Sequence, residues 1–549
     1  MGGHLSNLKV DKNSEIFEAS CGPIRGNIYH HENNKIVDGY LGIPYAQPPA
    51  RFQRAILAQN WTDPLDCYKY GPNAPQTGLV PDLGQYGMEN IIDEEKCLSL
   101  NIFVPRGGEK SKAVMVFIHG GGFELGSSGY YCHKSVSGSL PLKDIILVTI
   151  NYRLGVLGFL TTGQQNCPGN LGLWDQTLAL EWIQKHIESF GGNPKNVTIF
   201  GQSAGGASCD LLSLSPKSRD LFSKIIPMSG SAMCSFAMRT KENQVNVFEE
   251  FAEFLGAQKG QDLVEFFKTK SIEELTKIEK FKKSASGGLT FIPNFDGDFF
   301  PRPLDVLRKE QSQTRPIKIL TGICELEGLI LAILDPSNST ALEKLTKNVG
   351  LNLREDLLGE KAEKIRKEVF DFYLNEAENV AENELEIKKK TVEFVGDWMF
   401  NLGILESARN SAKHGNDTFL YEFDFCNPEG FGMFQQILPV VAATHCTDLR
   451  YVLGEGVYSK FDASTEDLQM FQTMTKIFSD FAKTGNPGWP KFDISDQKFK
   501  RINLPEVENL EKIENFGGGR CEKLKKIVLE NDRCFNSYFY GEERSGSKI

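Results

Sequence analysis

Residues 113–118 are apolar without interruption and are followed by glycines, the pattern of a strand buried on both faces. Residues 145–150 repeat it. From 173 to 187 the apolar positions Leu178, Trp182, Ile183 and Ile187 recur at helical spacing. A further β-like run, Val197-Thr198-Ile199-Phe200, follows, and residues 317–320 and 419–425 have the look of later strands of the same sheet. Strands alternating with helices predict an α/β fold: a large, mostly parallel central sheet with helices on both faces. Two charged stretches, about 241–283 and 337–390, interrupt this rhythm and read as helical insertions. Their Lys and Glu clusters, Lys388-Lys389-Lys390 among them, suit solvated helix faces.

The chain has 549 residues, 40% of them hydrophobic, with no internal repeat and no long low-complexity linker. This predicts one large domain over 21–540 with flexible tails at 1–20 and 541–549. A net charge of -11 argues against a nucleic-acid partner and supplies no field for anionic lipid. No apolar stretch is long enough to span a membrane, since 145–160 is broken by Asn151, Arg153, Gly155 and Gly158. The N-terminus lacks an apolar signal core, so the expected location is cytoplasmic, with the sequons at Asn60, Asn196, Asn338 and Asn416 unmodified.

Met1-Gly2-Gly3-His4-Leu5-Ser6 fits the N-myristoylation pattern with Gly2 as acceptor. One such chain holds a membrane only weakly, and Lys9 and Lys12 are a poor second signal. The terminal Ser547-Lys548-Ile549 differs from a peroxisomal address in its last residue and reads as coincidence. Twelve cysteines without a C-x-x-C pair suggest free thiols, with neither a metal nor a cofactor.

Gly201-Gln202-Ser203-Ala204-Gly205 joins the 197–200 run to a helix start made of small residues. This is a G-x-S-x-G elbow, a strand-to-helix turn that lifts a serine hydroxyl out of a sheet. A serine hydroxyl attacks poorly at neutral pH. It needs a general base, a carboxylate to orient that base, and donors for the developing oxyanion.

Several motifs in order show what the elbow belongs to. They are Tyr40-Leu41-Gly42-Ile43-Pro44-Tyr45-Ala46, Cys97-Leu98-Ser99-Leu100-Asn101, Gly120-Gly121-Gly122-Phe123, Asn151-Tyr152-Arg153-Leu154-Gly155, Asn170-Leu171-Gly172-Leu173-Trp174-Asp175-Gln176 and Phe190-Gly191-Gly192-Asn193-Pro194. Over nearly its whole length the chain resembles the type-B carboxylesterase/cholinesterase family, an invertebrate intracellular member more than a secreted one. The resemblance implies an α/β-hydrolase fold in which the two insertions cover the catalytic end of the sheet. It implies Ser203 as nucleophile, Glu327 as the acid in Gly322-Ile323-Cys324-Glu325-Leu326-Glu327-Gly328, and His445 as the base. Glu325 falls two residues early. Cys446 stands where the family usually has glycine. The oxyanion donors would be the N–H groups of Gly121, Gly122 and Ala204. Arg51 with Glu95, and Arg153 with Asp175, would form buried ion pairs. Cys67 and Cys97 match the family's first disulfide, to be reduced in a cytosolic chain.

The same resemblance bears on substrate. No Trp lies between Cys67 and Cys97, Ile330 and Leu331 replace an aromatic pair, and Gln202 stands where a glutamate usually precedes the nucleophile. A quaternary ammonium prefers aromatic faces, so choline esters fit poorly. Gly287 and Leu289, at positions where acetylcholinesterases carry two Phe, imply a wider acyl pocket. The expected activity is hydrolysis of small, neutral, apolar carboxylic esters through an acyl-enzyme. The alternatives are an acyltransferase with the same triad, or a catalytically silent, neuroligin-like adhesion homologue.

Overall fold

The computed structural model describes residues 8–528, except 12–14, 49, 77–90, 165, 278–280, 282–288, 334–338, 354–357, 376–382 and 507–508. Its strands are β1 (Lys9–Asp11), β2 (Phe17–Ala19), β3 (Gly22–His30), β4 (Ile36–Pro44), β5 (Ala46–Gln47), β6 (Ile56–Leu57), β7 (Leu65–Cys67) and β8 (Ser99–Pro105). They continue with β9 (Lys112–Ile118), β10 (Ile146–Ile150), β11 (Gly192–Gln202), β12 (Lys224–Met228), β13 (Lys318–Cys324), β14 (Asp417–Phe423), β15 (Lys498–Ile502) and β16 (Glu511–Lys512). β5 and β6 pair apart; the rest form one sheet in the order β1-β3-β4-β8-β10-β9-β11-β12-β13-β14-β15-β16, with β2 and β7 beside β3.

From β10 to β15 every neighbouring pair is parallel. The flank β1-β3-β4-β8-β10 is antiparallel, as is the β15–β16 pair. The apolar runs read from the sequence are strands of the parallel part, where both faces are covered. Along β9, Val114, Val116 and Ile118 enter one core layer with Trp182, Phe190 and Leu211. Met115 and Phe117 enter the other with Phe200, Phe478 and Phe481. This two-residue alternation puts a helical layer on each side. One side has α1 (Leu171–His186) and α2 (Ala204–Leu214); the other has a long helix at Thr465–Thr484.

The α/β-hydrolase architecture expected from the sequence is therefore present, with an antiparallel flank that was not. The N-terminal tail is also shorter than expected, because β1 and β2 pair with β3. Residues 541–549 and Gly2 lie outside the described residues.

Both predicted insertions are helical and reach the C-terminal ends of the parallel strands. In the first, α3 (Lys241–Phe254) starts at the Thr240 cap, whose Oγ accepts from Asn243 N at 3.0 Å. Its Phe248 and Phe251 pack on Phe291, each with ring centres 5.1 Å apart. The amides of Thr290 and Phe291 donate to Glu124 Oε1 at 2.7 and 3.2 Å, tying this insertion to the loop that leaves β9. The second insertion contributes α4 (Ala341–Asn352), α5 (Ala362–Asn375) and α6 (Glu384–Gly396). A π-helical turn, Asp397–Asn401, follows directly.

Candidate active site

Ser203 sits between the end of β11 and the start of α2 with φ 61° and ψ -126°. For a residue with a side chain this is strained backbone, worth about 1–3 kcal/mol. Neighbours hold it there: Ser203 N donates to Met228 O at 2.9 Å, and Ala207 N donates to Ser203 O at 2.9 Å. Both motif glycines are needed for close approach. A Cβ on Gly201 would lie 2.5 Å from Ile118 O, and one on Gly205 would overlap the same oxygen. Helix α2 therefore rests directly on the end of β9.

Glu327 and His445, expected as acid and base, arrive on two loops that are stitched together. Leu326 N donates to Ala443 O at 2.8 Å, and Thr444 Oγ1 donates to Leu326 O at 2.6 Å. Glu327 Oε2 meets His445 Nδ1 at 2.7 Å, with the carboxylate fully buried and the ring 6% exposed. The other oxygen, Oε1, accepts from Ser229 Oγ and from Cys324 N, both at 2.6 Å. Three donors on one buried carboxylate keep the anion satisfied without water. Gly328, next in the chain, is crowded by α6, because a Cβ there would overlap Val392 O. Glu325 turns elsewhere: burial and the neighbouring Asp424 push its carboxyl up to about 8.

A carboxylate on Nδ1 fixes the tautomer that leaves Nε2 as the acceptor. No hydrogen bond joins Ser203 Oγ to that nitrogen. The Gln202 amide nitrogen lies over the imidazole, 3.1 Å from His445 Nε2 and 3.3 Å from Nδ1. The ring of Phe400, carried by the π turn, stands 4.3 Å from the imidazole centre. In the loop after β9, Gly121 and Gly122 have φ of 108° and 63°. Among the described residues, the N–H groups of Gly121, Gly122 and Ala204 meet no acceptor. His119 anchors the loop base, stacked on Tyr152 at 4.4 Å with Nδ1 on Gly120 O at 2.8 Å.

Residues 13–517 match the sequence profile described as "Carboxylesterase family". The chain belongs to the carboxylesterase family. It is 48% identical to "Esterase cest-33" of Caenorhabditis elegans, a match covering 99% of this chain and 100% of that protein. It is 30% identical to "Fatty acyl-CoA hydrolase precursor, medium chain" of Anas platyrhynchos, over 88% of each chain. It is also 30% identical to "Cholinesterase" of Mus musculus, over 87% of this chain and 81% of that one.

Within this carboxylesterase framework one expected ion pair needs correction. Arg51 pairs with Glu94 rather than Glu95, through Nε–Oε2 at 2.6 Å and Nη2–Oε1 at 2.7 Å. The Asp93 carboxylate accepts from the amides of Glu95 and Lys96, and that turn leaves Glu95 in solvent. Cys67 and Cys97 are free thiols, each pushed up to about 12 by burial. Cys97 Sγ donates to Glu94 O at 3.7 Å. Arg153 does clamp Asp175, at 2.7 and 2.6 Å, with almost no exposure.

Of the pocket residues, Leu289 packs against the loop after β9, where a Cβ on Gly122 would come 2.6 Å from its Cδ2. Ile330 is buried in the core while Leu331 is 36% exposed. Gly287 lies outside the described residues. A cavity of about 410 Å³ opens elsewhere, beside Phe295, Phe300 and Pro303, and is lined by none of Ser203, Glu327 and His445. Among the described residues no cluster of His, Cys, Asp and Glu could hold a metal, and no helix is long and apolar enough to cross a membrane.

Sequence reasoning missed Ser229, Phe400 and Asp448. Ser229 had a signal, a Ser-Gly pair ending the apolar run of β12. Phe400 had none, because only the π turn brings it to the ring.

Proposed function

We propose that this chain is a serine carboxylesterase that hydrolyses small, neutral, apolar esters, with Ser203, His445 and Glu327 as the triad. The observation that carries the reading is the buried Glu327–His445 contact of 2.7 Å beside a serine held in the elbow conformation. Unengaged amides at Gly121, Gly122 and Ala204 support their role as oxyanion donors. The family and its esterase-named relatives support the reaction class.

In the reaction Ser203 Oγ attacks the ester carbonyl as His445 Nε2 takes its proton. Glu327 stabilises the imidazolium, and the three amides stabilise the oxyanion. His445 then gives the proton to the departing alcohol. Water attacks the acyl-enzyme by the same route and restores Ser203 and neutral His445. Every proton is returned, so the cycle needs no cofactor.

The test is hydrolysis of aryl esters of graded acyl length by the wild type and Ser203→Ala. The serine variant should lose about 10⁴-fold or more in kcat, in line with removal of a triad member. Butyryl esters should match or exceed acetyl esters, as a pocket without two Phe requires. Retained activity in Ser203→Ala refutes the nucleophile; a strong acetyl preference refutes the wide pocket.

We also read Gly2 as an N-myristoylation acceptor on a cytoplasmic protein, giving weak membrane association. Intact mass after expression in eukaryotic cells should show the acyl increment, and Gly2→Ala should lose it. An unacylated mass in such cells refutes this assignment.

A further inference from the structure

Glu124 follows closely on the glycines expected to hold the oxyanion, and its side chain is buried, at 5% exposure. Its Oε1 accepts from Thr290 N at 2.7 Å and from Phe291 N at 3.2 Å, two amides from a segment far along the chain. The loop that carries Glu124 is closed on itself. Glu124 N and Leu125 N both donate to Gly121 O, at 3.1 and 3.0 Å, and Gly155 N donates to Phe123 O at 2.8 Å. The residue before the two tethered amides is Leu289. Its side chain lies against Gly122, where a Cβ would come 2.6 Å from Leu289 Cδ2. The carbonyls of the same segment are held separately. Arg239 donates to Leu289 O at 2.7 Å and to Thr290 O at 2.8 Å, and Gln244 Nε2 donates to Thr290 O at 3.2 Å.

We propose that Glu124 is a positioning residue that sets the acyl-chain specificity of the site, by holding Leu289 against the oxyanion loop. The proposal rests on the serine-esterase reading above. With an ester oxygen among the N–H groups of Gly121, Gly122 and Ala204, the acyl chain begins one bond away, at the carbonyl carbon. Room for that chain is bounded by what packs on Gly122, and Leu289 packs there. An apolar side chain makes no directed bond of its own, so the place of Leu289 follows from the backbone next to it. The amides of Thr290 and Phe291 need an acceptor when buried, and the carboxylate that supplies it belongs to the oxyanion loop. Pocket wall and oxyanion donors are therefore one body, with the short acyl chain held in line for attack.

Removing the carboxylate leaves the two amides to find water. Leu289 then draws away from Gly122, and the room for the acyl chain grows. Arg239 and Gln244 still hold the carbonyls, so the segment stays docked while its inner side is released. Longer acyl chains gain relative to shorter ones.

The experiment compares kcat/KM for aryl butyrate and aryl octanoate with wild type, Glu124→Ala, Glu124→Ser and Glu124→Gln. In Ala the octanoate-to-butyrate ratio should rise about tenfold, the scale on which an apolar pocket discriminates by fit of a methylene. Ser guards against loss of folding, because its hydroxyl and a water can pair the amides without reaching as far as the carboxylate, and its ratio should rise likewise. Gln keeps an oxygen acceptor at the same reach, and its ratio should stay within about twofold of wild type. Leu289→Ala alone should also raise the ratio. Adding Glu124→Ala to it should change the ratio by less than about twofold, since no side chain remains to move. A merely structural loss would lower both esters alike. The proposal is overturned if Ala and Ser keep the wild-type ratio, if Gln shifts with them, or if Glu124→Ala has its full effect without Leu289. These outcomes are separate from the parent reading, which fails only if Ser203→Ala stays active.

Discussion

Single residues at this site work through what their neighbours leave them no choice about. Glu327 and Glu325 are two positions apart, yet one meets His445 and the other meets Asp424, because the Thr444 and Ala443 contacts lock the loop in one register. Asp448 shows the cost of that packing. It is fully buried, neither carboxylate oxygen has a well-formed hydrogen bond, and burial together with the charge on Glu327 pushes it up to about 8. In the unfolded chain the group titrates near 3.9. Between about pH 4 and pH 8 the folded protein therefore keeps a proton that the unfolded chain releases. The stability this proton contributes is complete at the acid end and is lost as pH rises through the folded value. Asp448→Asn should accordingly raise Tm by roughly 2–4 °C at pH 8.5 and hardly at all at pH 5. Glu325 and Glu422, also raised by burial, are common to both proteins and cancel in the difference. An equal change at both pH values would contradict the buried, protonated assignment.

At the scale of elements, sequence legibility followed burial on both faces. β9 and β10 are apolar at nearly every position and could be read directly, since helices cover both of their faces. β3 and β4 mix Gly, Asn and Asp with apolar residues on the antiparallel flank, so no apolar run announced them. The Ser203 elbow and its order relative to Glu327 and His445 were legible because each lies in a local motif. The Gln202–Cys446 contact and the Phe400 approach were not, because they join residues about 45 to 244 positions apart only after the loops are placed. The Arg51 partner differed by one residue for a similar reason, a turn capped by Asp93. Ion pairs between elements also differ in worth with burial. Arg153 binds Asp175 on α1 in a dry setting, so Arg153→Met should cost about 3–5 kcal/mol by leaving that carboxylate unpaired. Arg51→Met, at a pair whose side chains are 21% and 24% exposed, should cost about 1 kcal/mol or less. Denaturant midpoints compare the two directly, and equal losses would contradict the burial argument.

Across the whole molecule, one sheet places the three proposed triad positions by topology. Ser203, the proposed nucleophile, follows the central strand β11, Glu327, the proposed acid, follows β13, and His445, the proposed base, follows β14, all at the same C-terminal edge. The two helical insertions reach that edge from outside, the segment after the first anchoring on Glu124 through Thr290 and Phe291 and the π turn after the second carrying Phe400. The family match over 13–517 and the near full-length likeness to a nematode esterase fit this arrangement. Everything functional then depends on one hydroxyl being more reactive than any other serine in the chain. Mass mapping of the folded protein after reaction with a fluorophosphonate tests that most directly. A single phosphonyl adduct on the peptide containing Ser203, absent when the protein is first unfolded, is the predicted result. An adduct at another serine, or none on folded protein that still cleaves esters, would contradict it.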